Sequence, residues 1–165
     1  MGDTVPDTRK TEDGIVVRLA LTPEDMDGAR KLRSEVFVSE QSVPPEEETD
    51  EYDDAAFHAV ALKGGRIVGT GRVHSLPSGE TKIGRMAIEA GLRGRGIGAL
   101  ILGALEEQAV RDGAVEVMLN AQSYVRGFYE RHGYRVDGAP FLEVGIEHVR
   151  MVKVLRPLGS GLSSW

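Results

Sequence analysis

The sequence has 165 residues, of which 41% are apolar and 28% charged, so it can form one domain with a sizeable core. A formal net charge of −6 argues against a protein that binds nucleic acid through its phosphates, and the absence of cysteine excludes thiol catalysis and zinc–thiolate sites. No apolar stretch approaches the roughly 18 residues that cross a bilayer. The polar N-terminus has no apolar signal core, so we expect a cytoplasmic protein without a membrane or nucleic-acid partner.

The predicted elements alternate between short strands and helices along most of the chain. Residues 1–13 and 157–165 are predicted to be flexible tails on either side of one folded domain, residues 14–156. The predicted strands cover residues 15–21, 56–62, 66–74, 82–88, 115–119, 134–136 and 147–155, and the predicted helices cover residues 23–37, 97–111 and 123–132. This order predicts an α/β domain of the α+β type, with a mixed and largely antiparallel sheet.

Several local signals accompany these elements. Thr22 and Pro23 are typical of the start of a helix, in which Arg33 is the one polar residue on an apolar stripe. Residues 46–54 contain seven carboxylates and are predicted to form an exposed loop, which is either merely solvated or attracts a cationic amine. The glycines at 69 and 71 indicate a bulge or a close approach of backbone.

The most informative segment is residues 86–99, MAIEAGLRGRGIGA, in which a strand leads through a Gly/Arg turn into an amphipathic helix. Such a turn suits a phosphate, because its N–H groups can converge where the helix dipole is positive. A P-loop is excluded, because Ala99 rather than Lys follows Gly98. A dinucleotide fingerprint matches at Gly94, Gly96 and Ala99, but it requires successive parallel β-α-β units. A glycine-rich turn without a ligand is the remaining alternative.

The spacing of Arg93, Gly96 and Gly98 resembles the coenzyme A pyrophosphate loop of the GNAT-superfamily N-acetyltransferases. Residues 122–134, QSYVRGFYERHGY, are similar to that family's Asn-x-x-Ala-x-x-(aromatic or Leu)-Tyr-x-x-x-Gly-Phe segment, with Gln, Val and Tyr as departures. A narrower likeness is to the ElaA-type branch. It rests on residues 36–44, 50–58, 141–143 and 145–148.

The resemblance implies a single domain with a six- or seven-stranded sheet, about four helices and splayed central strands. It also implies an acetyl-CoA-dependent N-acetyltransferase that moves an acetyl group to a primary amine of a small molecule or peptide by direct attack in a ternary complex. The alternative is an acyl-CoA-binding sensor without turnover. By resemblance, the residues that contact acetyl-CoA are Met86, Ala87, Ile88, Arg93, Gly94, Arg95, Gly96, Ile97, Gly98, Ala99, Gln122, Phe128 and Tyr129.

The reaction needs no metal, but it needs a proton acceptor and a proton donor. Tyr129 matches the family's tyrosine and is the candidate acid for the departing thiolate. His58 is the first candidate for the base, followed by His148 and Glu143, while His74 and a bound water remain open. A homodimer is possible through the apolar last strand.

Overall fold

The computed structural model describes residues 9–155, which divide into two compact units. The first unit is the chain up to Arg72 together with Arg85–Leu105, and the second is Val73–Gly84 together with the chain from Glu106 onwards. Residues 1–8 and the predicted tail 157–165 lie outside the described residues. The prediction of a tail from 1 to 13 differs from the structure at Arg9 and Lys10, which form a short strand.

Nine strands form one mixed sheet within the described residues. They are β1 (Arg9–Lys10), β2 (Val16–Leu19), β3 (Phe57–Lys63), β4 (Arg66–Ser75), β5 (Thr81–Ile88), β6 (Glu116–Gln122), β7 (Arg135–Val136), β8 (Phe141–Glu143) and β9 (Ile146–Val154). The order is β1-β2-β3-β4-β5-β6-β9-β7, and β8 also pairs with β9. Strands β5 and β6 are parallel, with Lys82 opposite Met118, whereas β6 and β9 are antiparallel. The predicted class is therefore confirmed. The additional strands, β1 and β8, are too short to show a period in sequence.

Four α-helices accompany the sheet in the described part of the chain. They are α1 (Pro23–Arg33), α2 (Pro45–Glu48), α3 (Ile97–Arg111) and α4 (Arg126–Arg131). Helix α1 begins where predicted, because the Thr22 hydroxyl accepts from the N–H of Asp25 and the Asp25 carboxylate accepts from the N–H of Thr22. After Arg33 the helix continues with π-helical winding over Ser34–Glu40. None of the helices between residues 9 and 155 has the length and apolar character of a membrane span.

The first unit has a tight contact between α3 and β4, at the glycines that the sequence singled out. A Cβ atom on Gly71 would lie 2.6 Å from Sδ of Met86 and 3.0 Å from Cγ2 of Ile101. A Cβ atom on Gly69 would lie 2.9 Å from Cδ1 of Ile101. The glycines therefore allow a helix to lie directly on the strand, as the close-approach prediction requires.

Residues 46–54 form only in part the exposed loop that their charge predicts, because five of the nine residues are exposed but two of the seven carboxylates are buried. Glu48 and Asp53 are only 7% and 4% exposed, and α2 occupies the start of the segment. Both carboxylates are buried because Arg33 pairs with each of them, and Arg72 pairs with Asp53. A run of carboxylates in sequence gives no sign of arginine partners that come from a distant helix and strand.

Candidate functional site

The Gly/Arg turn lies in the first unit and is open to solvent. Gly94 and Gly96 have φ values of 81° and 85°, and a Cβ atom on either would meet no other atom within 4 Å. Ile97 is 1% exposed and anchors the first turn of α3 in the core. The first backbone hydrogen bond of that turn runs from the N–H of Leu100 to the carbonyl of Gly96, at 3.3 Å.

The amide groups at the start of α3 remain available. By helix geometry, the N–H groups of Ile97, Gly98 and Ala99 have no intrahelical acceptor. Within residues 9–155, none of these three groups bonds to another acceptor. The turn can therefore present several amides and the positive end of a helix dipole to an anion.

The two arginines of this turn already have carboxylate partners. Arg93 donates from Nη2 to both carboxylate oxygens of Glu40 at 3.0 Å, and from Nε to the carbonyl of Ile88 at 2.9 Å. Arg95 pairs with Asp13 at 3.4 Å. Because all four charged side chains are substantially exposed, these pairs are weak. Arg93 thereby links the end of β5 to the end of the π-helical segment.

The strand that precedes the turn is fixed by its buried side. Ala87 is 2% exposed and packs in a core cluster with Leu32 and Val36 of the first unit. Met86 and Ile88 on either side of it are half-buried. The end of β5, where the family resemblance implies contacts with acetyl-CoA, is therefore held firmly through the side chain of Ala87.

A buried cluster of charges, which we call the arginine–carboxylate cluster, lies in the first unit. Its members are Arg33, Arg72 and Arg85 with Glu48, Asp50 and Asp53. Burial acts to raise the pKa of Asp50, but hydrogen bonding to Arg72 and its charge outweigh burial and lower it. Burial also acts to raise the pKa of Asp53, but the hydrogen bond from Arg33 and its charge outweigh burial and lower the pKa. The three arginines and three carboxylates of the cluster balance in charge, and the half-exposed Arg30 lies 3.4 Å from Asp53 at its edge.

His58 borders this cluster. Its Nε2 donates to the carbonyl of Asp53 at 2.8 Å, which leaves Nδ1 as the unprotonated nitrogen. Nδ1 is enclosed and has no hydrogen-bond partner within the described chain. Burial lowers the pKa of His58, so the neutral ring is favoured. His74, the other histidine of this part of the sequence, is 8% exposed and its Nδ1 lies 3.3 Å from the carbonyl of Ser75.

The second unit contains the segment that begins at the end of β6. Gln122 stands opposite His148 in the register of β6 and β9. The hydroxyl of Ser123 next to it is buried and lacks a hydrogen-bond partner among residues 9–155. Gln122 and His148 were singled out separately by the sequence, and the sheet register brings them together.

Tyr129 lies on α4 and is 8% exposed. Its ring contacts Phe128 edge-on, with centroids 5.0 Å apart, and Tyr134 edge-on at 5.7 Å. Burial raises the pKa of Tyr129 to about 12, so the phenol keeps its proton throughout the neutral range. A phenol of this kind can donate a proton to a group that becomes negative beside it.

His148 has a defined tautomer. Its Nδ1 donates to the carbonyl of Ile146 at 2.7 Å, so Nε2 carries the lone pair. The ring is 5% exposed and stacks on Phe141 at a centroid distance of 5.9 Å. Glu143 pairs with Ile146 at the other end of the β8–β9 hairpin and has no hydrogen bond to His148 in the described chain.

These features have counterparts in known proteins. A family model for the acetyltransferase (GNAT) domain matches residues 10–155, which include parts of both compact units. The chain belongs to the GNAT acetyltransferase family. This GNAT acetyltransferase is 40% identical over 136 residues to the uncharacterized N-acetyltransferase YjcF of Bacillus subtilis (strain 168), a match that covers 82% of this chain and 96% of that protein.

Solved structures share the fold of this GNAT acetyltransferase. Escherichia coli ElaA matches with a TM-score of 0.75 and 24% identity over 84% of this chain and 99% of its own. An aminoglycoside 6′-N-acetyltransferase complexed with coenzyme A matches with a TM-score of 0.68 and 14% identity, over 86% of this chain and 97% of its own. The predicted likeness to the GNAT family is confirmed, and ElaA shares the fold.

Sequence reasoning missed the arginine–carboxylate cluster of this GNAT acetyltransferase. One signal was present, because a charged side chain on an apolar helical stripe, such as Arg33, requires a buried partner. The acidic run could have supplied that partner.

No group of three or more His, Asp and Glu side chains in residues 9–155 is arranged to hold a metal ion.

Proposed function

We propose that this protein is an acetyl-CoA-dependent N-acetyltransferase that acetylates the primary amine of a small molecule or peptide in a ternary complex. The observation that carries the proposal is the open set of amides at the start of α3, in a chain of the GNAT acetyltransferase family. A structural neighbour complexed with coenzyme A supports the choice of acyl donor.

We assign the pyrophosphate of acetyl-CoA to the backbone N–H groups from Gly94 to Ala99. Two positive φ values in the turn suit glycine, and the absence of Cβ atoms leaves room for a diphosphate to approach the amides. Arg93 and Arg95 flank the turn, and their ion pairs with Glu40 and Asp13 are exposed and weak enough for a diphosphate to compete with the carboxylates. Because Arg93 also bonds to the carbonyl of Ile88, we expect it to hold the turn against the end of β5.

We assign the pantetheine arm to the backbone of Met86, Ala87 and Ile88. An N–H group near Ile88 would polarise the thioester carbonyl, and loss of one such donor typically costs ~2.7–4 kcal/mol in the barrier. Ala87 favours this assignment, because its burial keeps the strand from shifting when the arm binds.

In the proposed reaction the amine nitrogen attacks the thioester carbonyl carbon and the C–S bond breaks. The amine loses a proton to Nε2 of His148, and the departing thiolate gains the phenol proton of Tyr129. An alkyl ammonium with a pKa of about 10.4 is neutral only about once in a thousand near pH 7.4, so removing its proton is the larger task. We prefer His148 to His58 because the lone pair of His148 is on Nε2, opposite its backbone bond, whereas the unprotonated Nδ1 of His58 is enclosed and has no partner within the described residues.

The test is the release of free thiol from acetyl-CoA in the presence of aliphatic amines, amino sugars, amino acids and peptides. We expect turnover with at least one class, and none without amine beyond slow hydrolysis. Gly96→Ala should weaken acetyl-CoA binding at least tenfold, because its Cβ strains a residue with a φ of 85° in the turn whose amides we assign to the pyrophosphate.

The matched control is Gly91→Ala, whose Cβ also meets open space but whose φ is not in the left-handed region. It should bind acetyl-CoA like the parent protein. Tight binding of acetyl-CoA with no transfer to any amine would instead support the acyl-CoA sensor.

A further inference from the structure

Arg85 has an unusual backbone conformation in the middle of β5. Its φ is 53°, a left-handed value that side chains with a Cβ adopt at a cost, and glycine would adopt freely. The residue directly precedes Met86, Ala87 and Ile88. The direction in which those residues present their amides therefore depends on the conformation of residue 85.

The side chain of Arg85 is hydrogen-bonded to residues 45–54, which we call the acidic segment. Its Nε donates to the carbonyl of Glu48 at 3.0 Å, and its Nη2 lies 3.2 Å from the carboxylate of Asp50 and 3.4 Å from the carbonyl of Glu47. The side chain is 22% exposed, so these bonds are formed largely away from water. A planar guanidinium with three separate acceptors has little freedom to rotate.

The acceptors are themselves held in place. Arg72 pairs with Asp50 at 2.6 Å, and Arg33 pairs with Glu48 at 2.6 Å. Arg33 and Arg72 are 1% and 2% exposed, so both ion pairs are anchored within the core of the first unit. The acidic segment is therefore a rigid support at the point where Arg85 contacts it.

We propose that Arg85 is a positioning residue, and that the segment from Pro45 to Asp54 is a brace that holds the left-handed turn of β5 through Arg85. The brace sets the direction of the backbone of Met86, Ala87 and Ile88. This inference rests on the proposed function, in which that backbone binds the pantetheine arm. It assigns to the acidic segment a mechanical role in place of the attraction of a cationic amine.

The experiment compares two ligands that share a nucleotide. Coenzyme A spans both the turn before α3 and the strand, whereas 3′-phospho-ADP, its nucleotide fragment, reaches only the turn. Calorimetry with each ligand is performed on the parent protein, Arg85→Gly and Arg85→Lys. Glycine permits the φ of 53° but does not enforce it, so this variant removes the brace without adding strain.

We expect Arg85→Gly to lose at least tenfold in affinity for coenzyme A and less than about twofold for 3′-phospho-ADP. Arg85→Lys keeps the charge but cannot bond to all three acceptors. We therefore expect it to lose less affinity for coenzyme A than Arg85→Gly does, and again to bind 3′-phospho-ADP much as the parent protein does. It also serves as the test if the glycine variant does not fold. A general loss of structure would weaken both ligands together, and an unchanged ratio in both variants would overturn the inference.

A second comparison separates the brace from electrostatic attraction. Asp50→Asn weakens the contact with Arg85, while Glu51→Gln removes one charge from the same segment at an exposed residue that has no ion pair in the described chain. Only Asp50→Asn should alter the ratio of the two affinities. Equal increases in the KM for a cationic amine in both variants, with the ratio unchanged, would favour attraction instead. If the parent protein binds no coenzyme A, the proposed function itself fails.

Discussion

Arg33 donates a 2.7 Å hydrogen bond from Nη1 to the carboxylate of Asp53, and the two residues are 1% and 4% exposed. The pair joins α1 to the segment before β3 and is the most deeply buried contact of the arginine–carboxylate cluster. Arg72 also pairs with Asp53, at 2.9 Å, so removal of Arg33 would leave the cluster with an excess of buried negative charge.

Arg33→Met should therefore lower the free energy of unfolding by about 3–5 kcal/mol, because Glu48 would keep only a 3.6 Å contact with Arg85 and the buried cluster would hold one uncompensated negative charge. Urea unfolding followed by circular dichroism measures the change. The matched control is Arg126→Met on α4, which breaks a 3.0 Å pair with Glu130 at half-exposed side chains and should cost well under about 1 kcal/mol. Equal losses in the two variants would contradict the role given to burial.

The stability of the protein at low pH should depend on Asp25. The hydrogen bond from Arg18 lowers the pKa of Asp25 to about 2, against an ordinary 3.8. Because the folded-state pKa is depressed, the carboxylate stabilises the fold fully above about pH 4, and this contribution is lost as the pH falls through about 2. Asp25→Asn should lower stability by about 1–2 kcal/mol at pH 7, through loss of the ion pair and of half the capping box.

The difference in stability between the Asp25→Asn variant and the parent protein should be much smaller at pH 2 than at pH 7, because a carboxyl with a pKa of about 2 is about half protonated there and is then as neutral as the amide. Asp27→Asn is the control, because Asp27 lies on the exposed side of the same helix. A difference at pH 2 as large as that at pH 7 would show that charge is not the cause.

Gly71 and Gly84 form a matched pair of strand glycines. A Cβ on Gly71 would come within 3.0 Å of Met86, Ile101 and Leu105, whereas a Cβ on Gly84 would meet nothing within 4 Å. Gly71→Ala should therefore cost about 1–3 kcal/mol by overpacking. Gly84→Ala should change stability by less than about 0.5 kcal/mol. Thermal unfolding of the two variants side by side measures the difference, and a reversed order would contradict the packing of α3 on β4.

Local signals in the sequence were sufficient to predict most helices and strands and the turn before α3. Thr22 and Pro23 marked the start of α1, and residues 97–111 bounded α3, because capping and periodicity depend on neighbours in sequence. The Gly/Arg turn was likewise legible, since its geometry requires glycine at particular positions.

Long-range pairing could not be predicted in this way. The acidic segment looked solvated because its arginine partners come from α1, β4 and β5, up to 38 residues away. The left-handed conformation of Arg85 had no local signal either, because a glycine rather than an arginine usually marks such a residue. The two-residue strand β1 exists only because β2 offers it an edge.

Tyr129→Phe tests the proposed acid. The substitution keeps the ring contacts with Phe128 and Tyr134 and removes only the hydroxyl. The kcat should fall about 10–100-fold with acetyl-CoA affinity within about twofold of the parent protein. With a pKa of about 12, the phenol should not produce an alkaline fall in rate below about pH 11.

Tyr124→Phe is the control for that variant, since Tyr124 is in the same segment but is 73% exposed. It should leave kcat unchanged. An unchanged kcat in Tyr129→Phe would remove Tyr129 from the mechanism.

His148→Gln and His58→Gln separate a base from a structural histidine. His148 keeps its lone pair on Nε2 because Nδ1 donates to Ile146, while the unprotonated Nδ1 of His58 is enclosed. His148→Gln should therefore lower kcat/KM about 100-fold, because the amine loses its proton acceptor. His58→Gln should keep kcat/KM and lose stability, because its contact with Asp53 borders the arginine–carboxylate cluster. If His58→Gln instead lowers kcat/KM about 100-fold and His148→Gln does not, the base is His58 and the preference for His148 is wrong.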